Sequence, residues 1–524
     1  MITDDQTAVI EFLSAPSTHE GAHVDRIETH ASVVFLVGER AYKLKRAVKF
    51  DYLDFSTLER RRVMCEAEVR LNRRTAPELY RGVLPVTRRD DGRLSLGDGG
   101  EPVDWLVAMN RFDQSRLLDR LATRGELDLD LMSPLGAAIA AFHVSAGQRT
   151  DQGGTAGMAW VIDGNAAGFK EFGSTCLDPA VASRVTSESL RELDRRGALL
   201  DDRRDSGSVR ECHGDLHLRN IVLLNGRPTL FDGVEFNDKI SCTDVLYDLA
   251  FLLMDLWRRR LPRHANAVLN RYLGETGEWD ALCLLPLFLS CRAAVRAKTS
   301  ATAAMQVSAE ARRDELYATA REYLAMAERL LHPPRPCLFA VGGLSGSGKS
   351  TLALSVAPAI GGAPGAVVLR SDETRKQLSG VPVLERLGPQ GYSADMSRRV
   401  YATVAERATR VLRAGHSVVV DAVFARPADR NATEQVAAAA GVPFVGIWLD
   451  APQSVLIPRT EQRRGDASDA DAAVVRLQGK QDTGAINWLR IDASGPPASV
   501  RSTTMDRVRD RWPEIANGLA FENW

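Results

Sequence analysis

The chain has 524 residues, a formal net charge of −1, 44% hydrophobic and 26% charged residues; this is a globular composition at a length too great for one core, so two or three domains are expected. So small a net charge excludes a global field for nucleic acid or a membrane surface, and no apolar run reaches the roughly 20 residues a membrane-crossing helix needs. Seven scattered cysteines with no Cys-x-x-Cys pair exclude a disulfide framework and a cysteine metal cluster; with an acidic N-terminus lacking a signal-type apolar core, they predict a cytoplasmic protein.

In chain order, residues 32–37 and 41–45 alternate around Gly38 as a β-hairpin. Residues 57–74 predict a strongly charged amphipathic helix stopped by Pro77, and 82–87 and 105–109 predict two more strands. Helical character takes over at 135–145, short strands surround 213–232, and helices resume from 245 to 331. The outline is an α+β, protein-kinase-like domain over 1–332, with a small lobe to about 110 and a helical lobe beyond it. Pro333, Pro334 and Pro336 cannot continue a helix and mark a linker at 333–336. Beyond it, strands at 337–341, 366–370, 417–421, 443–449 and 486–491 alternate with helices at 349–357, 394–414 and 428–440. That alternation predicts an α/β domain over 337–524 with a parallel, doubly wound sheet.

The second domain opens with Gly343-Leu-Ser345-Gly346-Ser347-Gly348-Lys349-Ser350-Thr351 between a strand and a helix. Glycines let backbone amides wrap phosphates, Lys349 reaches the β- and γ-phosphates, and Ser350 can ligate Mg²⁺. Asp372 follows the second strand, where a carboxylate can take the proton of an acceptor hydroxyl, and Arg375 lies one helical turn on. Asp421 ends another apolar strand, the usual place for the acid that reaches Mg²⁺. Arg459 and Arg463 share a helix face and suit a lid over transferring phosphates. From Cys337 to about Arg509 these features resemble the small-molecule and polynucleotide P-loop kinases, zeta-toxin relatives included.

In the first domain, His213-Gly-Asp215-Leu-His217-Leu-Arg-Asn220 precedes Phe231-Asp232. This resembles the catalytic loop of aminoglycoside phosphotransferases and their choline- and homoserine-kinase relatives. The resemblance implies that Asp215 orients the acceptor and takes its proton, that Asn220 and Asp232 hold Mg²⁺, and that His213 braces the loop. Lys43 and Lys45 lie on one strand face; Lys43 is preferred as the phosphate lysine because Ala41 leaves room for an adenine ring. Its carboxylate partner is Glu66 or Glu68, with Glu68 taken. Asp248 reads as a structural anchor; Glu235 and Asp238, close to Asp232, are within reach of substrate but read rather as surface turns. Arg258, Arg259, Arg260, Arg263, Arg292, Arg296 and Lys298 on the late helices point to a neutral or anionic acceptor rather than a polycationic drug.

The whole chain, including Tyr42-Lys-Leu-Lys45 and Asp54-Phe-Ser-Thr-Leu-Glu59, resembles bacterial fusion proteins that join an aminoglycoside-phosphotransferase-like half to a P-loop ATP-binding half. The resemblance implies a kinase with two ATP sites, dependent on Mg²⁺ and acting on a hydroxyl of a small molecule. Two alternatives stay open: one half is a regulatory ATP-binding switch, or the P-loop half is a polynucleotide 5′-kinase. Near-neutral charge and the lack of an aromatic–basic stacking platform weigh against nucleic acid.

Overall fold

The alternating residues 24–45 form three antiparallel strands in the computed structural model, which describes residues 3–173, 175–462 and 465–516. They are β1 (Val24–Glu28), β2 (Ser32–Val37) and β3 (Arg40–Lys45). Helix α1 (Leu58–Asn72) starts at Thr57, whose hydroxyl accepts the Arg60 amide N–H at 3.3 Å. Its inner face is not simply apolar, since Arg61 and Glu68 are fully buried beside Cys65 and Val69. Arg61 is matched there by Asp104 at 2.8 Å, because an unpaired buried charge would not be tolerated. β4 (Tyr80–Arg88), β5 (Leu94–Leu96) and β6 (Glu101–Asn110) complete a six-stranded antiparallel sheet in the order β1-β2-β3-β6-β4-β5.

After α2 (Met132–Ser145), two short ladders carry the first motif. β7 (Val209–Glu211) pairs with β10 (Cys242–Asp244), and β8 (Ile221–Leu224) pairs with β9 (Arg227–Leu230). The β8–β9 turn is Asn225-Gly226, both at positive φ, the chemistry a two-residue hairpin turn requires. Helix α3 (Val245–Arg258) follows. By compactness the chain divides into two units: Met1–Ala167 with Leu190–Asp255, and Gly168–Ser189 with Leu256–Trp524.

The second unit holds helices α4 (Pro262–Thr276), α5 (Leu285–Met305) and α6 (Glu310–Leu330), then a five-stranded parallel sheet. In chain order the sheet region runs β11 (Leu338–Gly343), α7 (Lys349–Val356), β12 (Val367–Arg370), α8 (Ser371–Leu378), α9 (Ala394–Arg413), β13 (Val418–Asp421), α10 (Pro427–Ala439) and β14 (Phe444–Asp450). It ends with α11 (Gln453–Gln462), α12 (Ala472–Gln478), β15 (Leu489–Asp492) and α13 (Pro497–Arg511). The sheet order is β12-β13-β11-β14-β15. β11 lies at the centre with every residue buried, which is why it reads as an unbroken apolar run. Among the described residues no helix is long and apolar enough to cross a membrane.

The helices before the proline run therefore share a compact unit with the parallel sheet, and the bonding explains it. β12 is an edge strand, and α4 covers its open side with two asparagines one turn apart. Asn270 Oδ1 accepts the Val368 amide N–H at 2.6 Å, and Asn266 Nδ2 donates to the carbonyls of Ala366 at 2.9 Å and Pro364 at 3.1 Å. The edge groups are thereby satisfied without another strand. Asn270→Leu strands a donor and is expected to cost about 1–3 kcal/mol in urea unfolding. Gln377→Ala, which removes two exposed bonds, one to the Gly274 carbonyl at 3.4 Å and one from Arg407 at 2.7 Å, should cost no more than about 0.5 kcal/mol. Equal midpoints for the two variants would show that the cap contributes nothing.

Candidate functional site

In the first unit, alternation along β3 sends Lys43 and Lys45 to one face, towards α1. Glu68 meets both: Lys43 Nζ donates to Oε1 at 2.9 Å and Lys45 Nζ to Oε2 at 2.6 Å. The second partners differ. Lys43 also reaches Asp232 Oδ1 at 2.6 Å, whereas Lys45 pairs with Glu235. Lys43 thus joins the helix carboxylate to the aspartate after β9, and Lys45 lies deeper, its side chain 1% exposed. Glu66 is exposed and pairs with Arg62 at 2.7 Å, outside this network. Glu235 was expected in a surface turn; its side chain is instead buried against Lys45. Asp238 is exposed and bonded to Arg149 at 2.9 Å.

Charge balance holds the network in its ionised form. Burial alone would raise the Glu68 carboxyl, but Lys43 and Lys45 bring it down to about 2. Burial would likewise discharge Lys43, and Asp232, Glu68 and Glu235 overcome it, so its ammonium binds its proton more tightly than usual. Glu235 goes the other way: burial lifts its carboxyl, the nearby Glu68 charge adds to the lift, and Lys45 and Lys43 only partly offset it. One helical turn beyond Glu68, Asn72 Oδ1 accepts the Gly233 N–H at 2.7 Å, so α1 also fixes the loop that carries Asp232. Asp232 itself is at φ +60° and its side chain is 44% exposed.

The loop 213–220 is pinned from α3 by two carboxylates two turns apart. Asp248 accepts the amide N–H of Gly214 at 2.8 Å and of His213 at 3.1 Å, and Asp255 accepts that of Leu218 at 3.2 Å. His143, Cys212 and Asp248 cluster closely enough to suggest a metal site. The Asp248 oxygens are, however, already taken by those amides and by His143 Nε2 at 3.1 Å, which makes this an anchor. Burial lowers the His213 imidazole from its ordinary range, favouring the neutral ring, which bonds the Phe231 carbonyl at 2.9 Å. Asn220 Nδ2 donates to the Asp215 carbonyl and carboxylate, both at 3.0 Å, and His217 Nε2 lies 3.3 Å from the same carboxylate. Since both acceptors on Asp215 need a donor, the Asn220 amide is oriented with its NH₂ on Asp215.

In the second unit the phosphate loop leaves the central strand at Gly343. This residue has φ +139°, and a Cβ there would fall 2.6 Å from the Leu449 carbonyl oxygen, so only glycine fits. Lys349 folds across its own loop, donating to the Leu344 carbonyl at 3.1 Å. Ser350 Oγ donates to Asp421 Oδ2 at 2.5 Å, uniting the loop with the end of β13. Ser345 and Ser347 are buried, Gly346 and Gly348 are at positive φ, and Thr351 is exposed on α7.

Arg370, which in the sequence is only the end of a strand, turns this into an ionic cluster: it meets Glu373 at 2.7 Å, Asp421 at 3.3 Å and Asp466 at 3.2 Å. Burial alone would loosen its proton, but those carboxylates keep it firmly charged. Asp372 is half-buried at the start of α8 and makes no side-chain hydrogen bond among the described residues. Arg375 donates to the Gly391 carbonyl at 2.8 Å and lies 5.0 Å from the Tyr392 ring centre, and its buried Nε has no partner among the described residues. Arg459 donates to the carbonyls of Ala493, Ser494 and Gly495 at 2.7–3.1 Å, so its guanidinium is engaged with the turn after β15. Arg463 lies outside the described residues. Of the late-helix arginines, Arg258 and Arg296 lie over the Tyr323 ring, at 4.4 and 5.7 Å, and Arg292 is buried.

The comparisons agree with both halves. The Phosphotransferase enzyme family matches residues 57–285, and a family described as AAA domain matches 338–481. Uncharacterized protein Rv2004c of Mycobacterium tuberculosis (strain ATCC 25618 / H37Rv) is 30% identical over 486 residues, 90% of this chain and 93% of the relative. The chain belongs to that family. An Adenylyl-sulfate kinase of Myxococcus xanthus is 30% identical over 117 residues, 22% of this chain and 59% of that protein. Among solved structures, a choline/ethanolamine kinase family protein from Mesorhizobium loti covers 62% of this chain and 97% of its own (12% identity, TM-score 0.38). The Mycobacterium tuberculosis APS kinase CysC covers 34% of this chain and 99% of its own (23% identity, TM-score 0.24). The chain is a kinase that joins an aminoglycoside-phosphotransferase-like domain to a P-loop kinase domain.

Removing Glu68 exposes the energetics of the first network. Glu68→Gln leaves two buried ammonium groups short of a partner and is expected to cost about 3–5 kcal/mol near neutral pH. The Glu68 carboxyl is depressed in the folded chain, so its contribution is complete above its ordinary value of about 4.3 and fades as pH falls towards about 2. The stability gap between wild type and variant should therefore narrow over that window in acid–urea titrations. A constant gap would contradict the ionised network.

Proposed function

We propose that this kinase has two nucleotide sites, each dependent on ATP and Mg²⁺ and each passing the γ-phosphate to a hydroxyl of a small-molecule acceptor. One observation carries the reading: in each unit a lysine suited to phosphate sits with the carboxylate its chemistry needs. Lys43 bonds Asp232 across 189 residues, and the Lys349 loop bonds Asp421 through Ser350.

In the first site Lys43, aimed by Glu68, holds the phosphates. Asp215 orients the acceptor hydroxyl and receives its proton as the acceptor oxygen bonds to the γ-phosphorus and the bond to the ADP oxygen breaks. In the second, the loop amides and Lys349 hold the phosphates, Asp372 takes the proton, and Arg375 holds the acceptor. Asn220 Oδ1 with Asp232, and Ser350 with Asp421, are the hard oxygen donors Mg²⁺ prefers; the ion, when bound, neutralises phosphate charge. The Arg375 guanidinium, whose Nε has no partner among the described residues, supplies the positive charge that suits a neutral, oxygen-rich or anionic acceptor, and a net charge of −1 argues against nucleic acid.

Transfer of label from γ-labelled ATP to sugars, nucleosides, aminoglycosides and oligonucleotides tests this in wild type, Asp215→Ala and Lys349→Ala. Each variant should lose one transfer activity by on the order of a hundredfold or more and keep the other. Unchanged transfer in both variants, or none in wild type, would sink the proposal.

A further inference from the structure

The Ser345 amide lies inside the phosphate loop, on a residue only 6% exposed. A buried N–H needs an acceptor, and this one is supplied from far along the chain: Gln478 Oε1, at the end of α12, accepts it at 2.8 Å across 133 residues. An N–H can only donate, so the carboxamide is oriented with oxygen to the loop. Its NH₂, on the same carbon, therefore stays beside the loop as a neutral donor, with no hydrogen bond among the described residues.

The neighbouring helix touches the same turn. A Cβ on Gly346 would fall 2.5 Å from the Leu456 carbonyl oxygen and 3.1 Å from the Thr460 methyl, so α11 rests on the loop at residue 346 while α12 holds residue 345. Between these helices, Asp466 bonds Arg370 at 3.2 Å and Asp469 bonds Lys376 at 2.7 Å. Those two cations flank Asp372 along β12 and α8. Helices α11 and α12 and residues 465–471 are thereby fastened both to the phosphate loop and to the elements that carry the candidate base.

We propose that Gln478 is a positioning residue of the P-loop centre: it fixes the Ser345 amide, seats helix α12 on the loop, and keeps a neutral donor beside the bound phosphates. The inference rests on the reading of this loop as a nucleotide site. It separates from simple structural capping through charge. A carboxylate at 478 accepts the amide bond at least as well, but it places a negative charge beside phosphate.

The test is a titration of the full chain with mant-ATP and Mg²⁺, paired with thermal melts, in which Lys349→Ala identifies the P-loop component of binding. Gln478→Leu should weaken that component about five- to tenfold, the loss of one hydrogen bond. Gln478→Glu should melt like wild type yet bind mant-ATP more weakly than Gln478→Leu. Wild-type nucleotide affinity in Gln478→Glu overturns the inference, as does equal affinity in the two variants. If Lys349→Ala leaves mant-ATP binding unchanged, the P-loop reading fails and this inference falls with it.

Discussion

Taking a lone ammonium or carboxylate out of water costs several kcal/mol, and the cost is recovered only when a counter-charge and hydrogen bonds come with it. Both candidate centres are built under this constraint. In one, Lys43 and Lys45 share Glu68, while Asp232 gives Lys43 and Glu235 gives Lys45 a second carboxylate. In the other, Arg370 is enclosed by Glu373, Asp421 and Asp466, and Asp421 also receives Ser350. The charges that suit each site to phosphate also fix where its strands and helices must lie.

This constraint links local structure to chemistry in the same way twice. Strand alternation brings two lysines to one face of β3, and helical spacing brings Glu68 and Asn72 to one face of α1. Together they fix both the lysine and the loop after β9. In the parallel sheet, β11 and β13 end side by side, with Val341 in register with Asp421. The phosphate loop and its acid are therefore neighbours because their strands are. Anchors set back from the chemistry, such as Asp248 and Asp255 beneath the loop 213–220, convert a flexible segment into a fixed one.

Features confined to short stretches were legible in the sequence. The phosphate loop, the loop 213–220 and the carboxylate ending β13 each declare themselves within about ten residues, as does each strand and helix of the alternation from which the fold followed. The preference for Lys43 over Lys45 rested on room for a base, and the geometry separates the two by their second carboxylate. What could not be read were pairings between distant residues. Glu235 sits in a polar stretch that looks like a turn until Lys45 is known to lie behind it. Arg370 reads as a strand end, and Gln478 carries no local signal at all. The proline run looked like a boundary, yet the asparagines of α4 that cap β12 have no pattern that announces a partner almost a hundred residues away.

The central claim is that one polypeptide builds two separate grips for a magnesium-bound triphosphate. Isothermal calorimetry with MgATP counts them directly. The account predicts two equivalents bound per wild-type chain, one in Asp232→Asn, one in Lys349→Ala, and none when both changes are combined. A single equivalent in wild type, or a stoichiometry that neither substitution lowers, would contradict it.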